Sequence, residues 1–230
     1  LGGGLFEIDT SQIAAGASKP KVRVLTDMKN RTAWGDPGAH SAIQFFGRNY
    51  VFAADEVYGN IPVLLGGGCP WGWARIIDLR NHKDPEVISE FKLPANTEEF
   101  CDGENNPIRD TTSSHSAHNP TLTKNLALIT WHGGGMQVID ISKPAQPRQA
   151  AEFVPEPLIA VTQEDPVLSS GTDKVVMWSF PVIKDGLIYV VDVRNGLYIL
   201  SYKGPFEKEV SKARFLEGNS NFGDALKLAR

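Results

Sequence analysis

The run Gly4-Leu5-Phe6-Glu7-Ile8-Asp9 returns twice in nearly the same form, as Gly135-Met136-Gln137-Val138-Ile139-Asp140 and Gly196-Leu197-Tyr198-Ile199-Leu200-Ser201, and Trp73-Ala74-Arg75-Ile76-Ile77-Asp78 is a looser fourth copy. A chain that repeats itself in this way builds one supersecondary unit several times, which restricts it to repeat architectures. After Asp78 and Asp140, at a shared offset, come Pro85 and Pro147, each opening a strand-like run that ends in Phe91 or Phe153. The first copy reaches its corresponding run, Pro20-Lys21-Val22-Arg23-Val24-Leu25, after a longer spacer.

Upstream of three of the copies lies a pair of strand-like runs. Ala39–Ile43 leads into Asn49–Ala53, Ala117–Thr121 into Leu126–Thr130, and Phe180–Ile183 into Leu187–Val191, with turn residues Gly47-Arg48, Lys124-Asn125 and Lys184-Asp185-Gly186 between the members. Hairpins require such turns, so each unit is four short strands. Successive units are 69, 62 and 61 residues apart. That is longer than the ~40–50 residues of common propeller repeats, so the loops carry insertions. No sustained helical period appears apart from the short tail Gly223–Arg230. An all-β fold is expected, as a β-propeller portion of three four-stranded blades plus the outer half of another, with a β-sandwich as the competing arrangement.

The runs Met136–Pro147 (MQVIDISKPAQP) and Ala74–Pro85 (ARIIDLRNHKDP), with SAHNP at Ser116–Pro120 and FLEGNSN at Phe215–Asn221, resemble the LVIVD-repeat β-propellers. That resemblance implies a secreted repeat protein and transfers no catalytic residue. A looser likeness, over Ser116–Pro144, is to selenium-binding or methanethiol oxidase propellers, in which histidines hold a metal. Closed propellers usually have four to eight blades, so residues 1–217 are expected to be an incomplete propeller, the C-terminal portion of a longer chain, completed by upstream sequence or by another chain. Glu209–Leu216 is the candidate for the last outer strand, and residues 218–230 are read as a polar tail.

With 41% hydrophobic and 22% charged residues and a net charge of −4, the chain has the makings of a core and no basic surface for nucleic acid. No apolar run approaches the ~20 residues of a membrane-spanning helix. In the propeller reading Cys69 and Cys101 lie in insertions that open on one face, and a disulfide between them fits an extracytoplasmic protein, secreted or at the cell surface. Free thiols or a metal-ligand pair are the alternatives.

The same reading gathers His40 and His118, which begin first strands, with Asp55, Glu56 and His132, which end second strands. Imidazoles and carboxylates converging in this way suit a divalent transition metal, or calcium if carboxylates dominate. The competing reading is that the repeated histidines only satisfy neighbouring backbone groups. His115 and Trp71 approach the same rim as candidate binding-loop residues, Trp71 because a rigid aromatic gives contact area at little entropic cost. The glycine triplets Gly66–Gly68 and Gly133–Gly135 lack the helix and Gly-Lys-Ser/Thr ending of nucleotide loops and read as turns with a backbone need. Two functions follow: a binding or scaffold module that contacts a protein or glycan through its loop insertions, or a metal-dependent oxidoreductase using the histidine and carboxylate cluster.

Overall fold

The computed structural model describes residues 3–29, 32–34, 38–56, 72–102, 114–163 and 174–218. Each four-strand unit read from the repeat closes as its own antiparallel sheet. At the N-terminal end, β1 (Gly3–Leu5) pairs with β4 (Thr32–Trp34), and β2 (Ile8–Asp9) pairs with β3 (Arg23–Val24). The Gly4–Asp9 run is therefore divided between two partners, one of which, Thr32–Trp34, carries no repeat pattern.

Sheet I contains β5 (Ala39–Gln44), β6 (Tyr50–Asp55), β7 (Ala74–Asp78) and β8 (Glu86–Phe91), side by side in chain order. Sheet II has the same layout with β9 (Ala117–Leu122), β10 (Leu126–Trp131), β11 (Gly135–Asp140) and β12 (Arg148–Phe153). Sheet III departs from it. After β13 (Val182–Lys184), β14 (Leu187–Asp192) and β15 (Gly196–Leu200), its last strand, β16 (Phe215–Leu216), pairs with β13 rather than β15.

The expected outer strand at Glu209–Leu216 is thus replaced by a short helix, Glu207–Ser211, and a strand on the opposite edge. The cause lies in Glu209. Its carboxylate accepts hydrogen bonds from Thr123 Oγ1 (2.6 Å), Asn125 N (2.9 Å) and Asn125 Nδ2 (2.6 Å), which hold the helix on the β9–β10 turn of sheet II. Arg48 ties the β5–β6 turn of sheet I to sheet II in a similar way, donating to the carbonyls of Ile141, Ser142 and Lys124.

The sheets stack in order, each on the next. Ile43, Phe45, Phe52 and Ile76 of sheet I meet Leu122, Ile129, Trp131 and Ile139 of sheet II in one buried cluster. Leu128, Met136 and Val138 of sheet II meet Met177, Ile188, Val190 and Leu216 in a second. Alternate residues of sheet I, Val51, Ala53 and Ile77, pack the other way against Leu5 and Trp34. Successive side chains of a strand point to opposite faces, so a sheet covered on both sides reads as a continuous apolar run. The two central strands of the array show it in part: every residue of β9 and β10 is buried, and β10 reads Leu-Ala-Leu-Ile-Thr-Trp.

First strands are also stitched to one another. Ser41 Oγ on β5 donates to the carbonyl of His118 on β9 (2.6 Å), and Thr121 Oγ1 on β9 donates to the carbonyl of Pro181 just before β13 (2.6 Å). Apolar side chains stay exposed on the far face of sheet III (Leu187, Val191, Leu197, Ile199) and at the N-terminal end (Phe6, Ile8, Val22, Val24). The backbone need read from the glycine triplet falls on Gly135, with φ +72° and a would-be Cβ only 2.2 Å from the Phe153 carbonyl oxygen. Among the described residues no helix is long and apolar enough to cross a membrane.

Candidate metal centre

Both repeat histidines sit on irregularities in their strands. In the β5–β6 ladder the register jumps from Ala39↔Asp55 to Ser41↔Ala54, leaving His40 as the extra residue. In the β9–β10 ladder it jumps between Pro120↔Ile129 and Ala117↔Trp131, the interval that holds His118 and Asn119. A bulge re-aims the side chain it carries and commonly lies beside a functional site. The repeat has placed the same device in neighbouring sheets.

The re-aimed rings converge on Glu56, the residue after β6. His40 Nδ1 lies 3.0 Å from Glu56 Oε2, and His118 Nε2 lies 3.1 Å from Glu56 Oε1. Ligating atoms of these three residues all fall within 4.8 Å of one another. His132, which opens a turn of 3-10 helix after β10, brings its Nε2 to 3.1 Å from the same Oε1. The rings of His40 and His118 stack at 4.5 Å, and Trp178 stacks on His132 at 5.2 Å with planes 7° apart. The side chains of Glu56, His118 and His132 are 6% exposed or less and that of His40 is 34% exposed, so water reaches the cluster along His40.

Electrostatics keep the carboxylate charged and the deep imidazole neutral. Burial works to raise Glu56, but the His132 and His40 imidazoles beside it, with the charges of His118 and His40, outweigh that and hold it well below the usual carboxylate range. Burial pushes His118 down to about 4. His40 is raised, because Glu56 stabilises its protonated form against a smaller burial penalty. Outer contacts fix the rings. His118 Nδ1 donates to the Trp178 carbonyl (2.6 Å), Ser114 Oγ lies 2.7 Å from His132 Nδ1, and Asn119 Oδ1 lies 3.2 Å from His40 Nε2.

Asp55, expected in the same group, faces the other way, as adjacent strand residues do. Its carboxylate takes Trp34 Nε1–H (3.1 Å) on Oδ1 and lies 2.9 Å from Arg75 Nη1 through Oδ2. The Arg75 guanidinium sits over the rings of Trp34 and Trp73, at 5.1 and 4.7 Å. His115 neighbours His132 but is not among the three residues whose ligating atoms gather together. Its carbonyl accepts from Trp131 Nε1 and Asn96 Nδ2, and its ring lies 6.2 Å from that of Phe100. Cys101 is buried in a short helix, Glu98–Asp102, while Cys69 and Trp71 lie outside the described residues. Sequence reading did not single out Asn119 or Trp178 as contacts of these rings. Ser114 Oγ lies on His132 Nδ1 and Glu56 Oε1 on His132 Nε2, a serine–histidine–carboxylate line in which the carboxylate is shared with His40 and His118.

Burial pushes His115 down to about 4, helped by the neighbouring His132. A depressed imidazole is neutral when folded but takes a proton at its ordinary pKa when unfolded, so its stabilising effect is complete above about pH 6.5 and is lost as pH falls toward 4. Urea unfolding of metal-stripped protein should show the wild type losing stability relative to His115→Gln across that window, by roughly 1.4 kcal/mol per pH unit at most. A constant difference between the two proteins would contradict the assignment.

No protein-family model matches the chain, and no curated protein matches it.

Proposed function

We propose that this chain holds a divalent transition metal on His40, Glu56 and His118, with His132 as a fourth ligand, between adjoining sheets of a β-propeller-type array. The observation that carries this reading is Glu56 Oε1. It is buried and ionised, and the Nε2 atoms of His118 and His132 both lie 3.1 Å from it. Because His118 gives its Nδ1 proton to the Trp178 carbonyl, the nitrogen facing Glu56 is a lone pair. A carboxylate oxygen and an imidazole lone pair at that distance repel unless a cation lies between them.

The spacing suits such an ion. Bonds of about 2.0–2.2 Å to nitrogen and oxygen put neighbouring ligand atoms roughly 3.0–3.5 Å apart, and the contacts to Glu56 are 3.0 and 3.1 Å. Three imidazoles against one carboxylate favour zinc, copper, iron or nickel over calcium or magnesium. Copper or iron would bring the redox chemistry of a metal-dependent oxidoreductase, and zinc would bring Lewis acidity. The three sheets packed in chain order, the hydrogen bonds between their first strands and the apolar faces left at both ends support the propeller arrangement. The extracytoplasmic placement rests on a Cys69–Cys101 bond, supported by the absence of a free thiol among the described residues. A thiol count of zero on unreduced, denatured protein checks it, and two thiols would remove it. The reading as a binder of protein or glycan depends on Trp71 and on residues 57–71 and 103–113, which lie outside the described residues.

The test is elemental analysis of the purified protein, followed by titration of the stripped protein with zinc and, separately, calcium. About one transition-metal ion per chain, recovered on adding zinc and not calcium, is the expected result. No stoichiometric metal and no zinc binding would overturn the reading.

A further inference from the structure

We propose that the main-chain carbonyl of Trp178 selects which nitrogen both histidines turn toward Glu56, directly for His118 and through Asn119 for His40, making Asn119 the positioning residue of the site. The proposal rests on the metal reading for its purpose, but its geometry stands without an ion.

The chain of constraint starts from a group that can only accept. Trp178 is anchored to sheet III by its own N–H, which donates to the carbonyl of Val191 (2.9 Å). Its carbonyl oxygen points back toward β9 and β10, where it meets His118 Nδ1 at 2.6 Å, Asn119 Nδ2 at 3.0 Å and Thr130 Oγ1 at 3.4 Å. A carbonyl has no hydrogen to give, so the His118 nitrogen beside it carries the proton and Nε2 is left as a lone pair facing Glu56 Oε1. The carbonyl also fixes the Asn119 amide, because turning the amide over would set two oxygens against each other. With Nδ2 on the carbonyl, Oδ1 is the atom 3.2 Å from His40 Nε2. That oxygen accepts only, so His40 carries its proton on Nε2 and presents Nδ1 to Glu56 Oε2, 3.0 Å away.

One carbonyl thereby dictates two tautomers of opposite sense, Nε2 presented by His118 and Nδ1 by His40. The position of the other ring hydrogen bond is what decides which nitrogen of a histidine is available to a metal. Asn119 is buried, with its main-chain N–H donated to Thr130 Oγ1 (3.2 Å), so its side chain is held in the orientation the relay needs. The competing arrangement is also defined. Asn119 Nδ2 lies 2.8 Å from His118 Nδ1, and if it donated there, His118 would carry its proton on Nε2, toward Glu56.

The test reads the protons themselves. Long-range 1H–15N correlation on metal-free protein labelled at histidine nitrogen, at alkaline pH where both imidazoles are neutral, assigns the protonated nitrogen of each ring. Expected are Nδ1–H for His118 and Nε2–H for His40. Asn119→Ala should abolish the preference in His40, leave His118 unchanged and weaken zinc binding about 10- to 100-fold. Nε2–H on His118 or Nδ1–H on His40 in the wild type would overturn the proposal, as would an unaltered His40 tautomer and zinc affinity in Asn119→Ala. The wild-type measurement needs neither a variant nor a metal. Expected tautomers without zinc binding would therefore remove the metal reading alone, and zinc binding with the opposite tautomers would remove this one alone.

Discussion

Replacing His118 with alanine should cost the protein its metal, with zinc affinity falling at least about 100-fold, or about 2.7 kcal/mol. His118 is the hinge of the cluster. It reaches Glu56 Oε1, stacks on His40 and takes its tautomer from sheet III, so its loss removes a ligand and the packing that holds a second one. Its burial makes substitution by water a poor replacement, since the surrounding groups are set for an imidazole. His82→Ala is the control. His82 is exposed and pairs with Glu7 at 2.9 Å, far from the cluster in the fold, and its removal should leave metal content unchanged. Equal metal content in His118→Ala and wild type, by elemental analysis after identical loading, would contradict the assignment.

The second large effect is on stability. Asp55→Ala should destabilise the protein by about 3–5 kcal/mol, measured by urea unfolding at about pH 8, because it leaves a buried guanidinium without its nearest anion. Arg75 is 3% exposed and is enclosed by Trp34 and Trp73, with Glu90 at 3.3 Å as its remaining carboxylate partner. Burial pushes the Asp55 carboxyl up to about 7 against the pull of Arg75 and the Trp34 hydrogen bond, so the comparison belongs on the alkaline side, where both partners are charged. The loss should appear in stability and not in metal stoichiometry once the variant is folded. A change of less than about 1 kcal/mol would mean that Glu90 alone suffices for Arg75, the value expected of an exposed pair.

The two carboxylates illustrate what could be read from the sequence. The repeat located the ends of the second strands, and with them Asp55, Glu56 and His132, because four-strand units with defined turns leave little freedom in where a strand stops. It also located His40 and His118 at matching points of adjacent sheets. It could not say which of Asp55 and Glu56 faces the histidines. Facing is a matter of register, and a bulge at His40 shifts the register by one residue without leaving a pattern in the apolar positions. Asn119 was visible only as part of a repeated Ala-His-polar motif. Its role depends on a carbonyl 59 residues away, and backbone carbonyls carry no sequence signal.

The C-terminal segment shows a different limit. Glu209–Leu216, the candidate for the outer strand of sheet III, instead begins as a helix held by three hydrogen bonds to the Glu209 carboxylate and ends as a strand on the other edge. Tertiary contacts of that kind override local propensity. The strand Thr32–Trp34 was missed for a related reason, since its pairing with Gly3–Leu5 is long-range and its three residues are too few to show a period.

The most direct measurement is anomalous diffraction at the zinc edge from crystals of zinc-loaded protein. A single strong peak within bonding distance of Glu56 Oε1, His118 Nε2 and His40 Nδ1, with sheets I and II adjoining there, is the predicted result. A peak elsewhere on the surface, or none with the three side chains ordered around a water molecule, would contradict it.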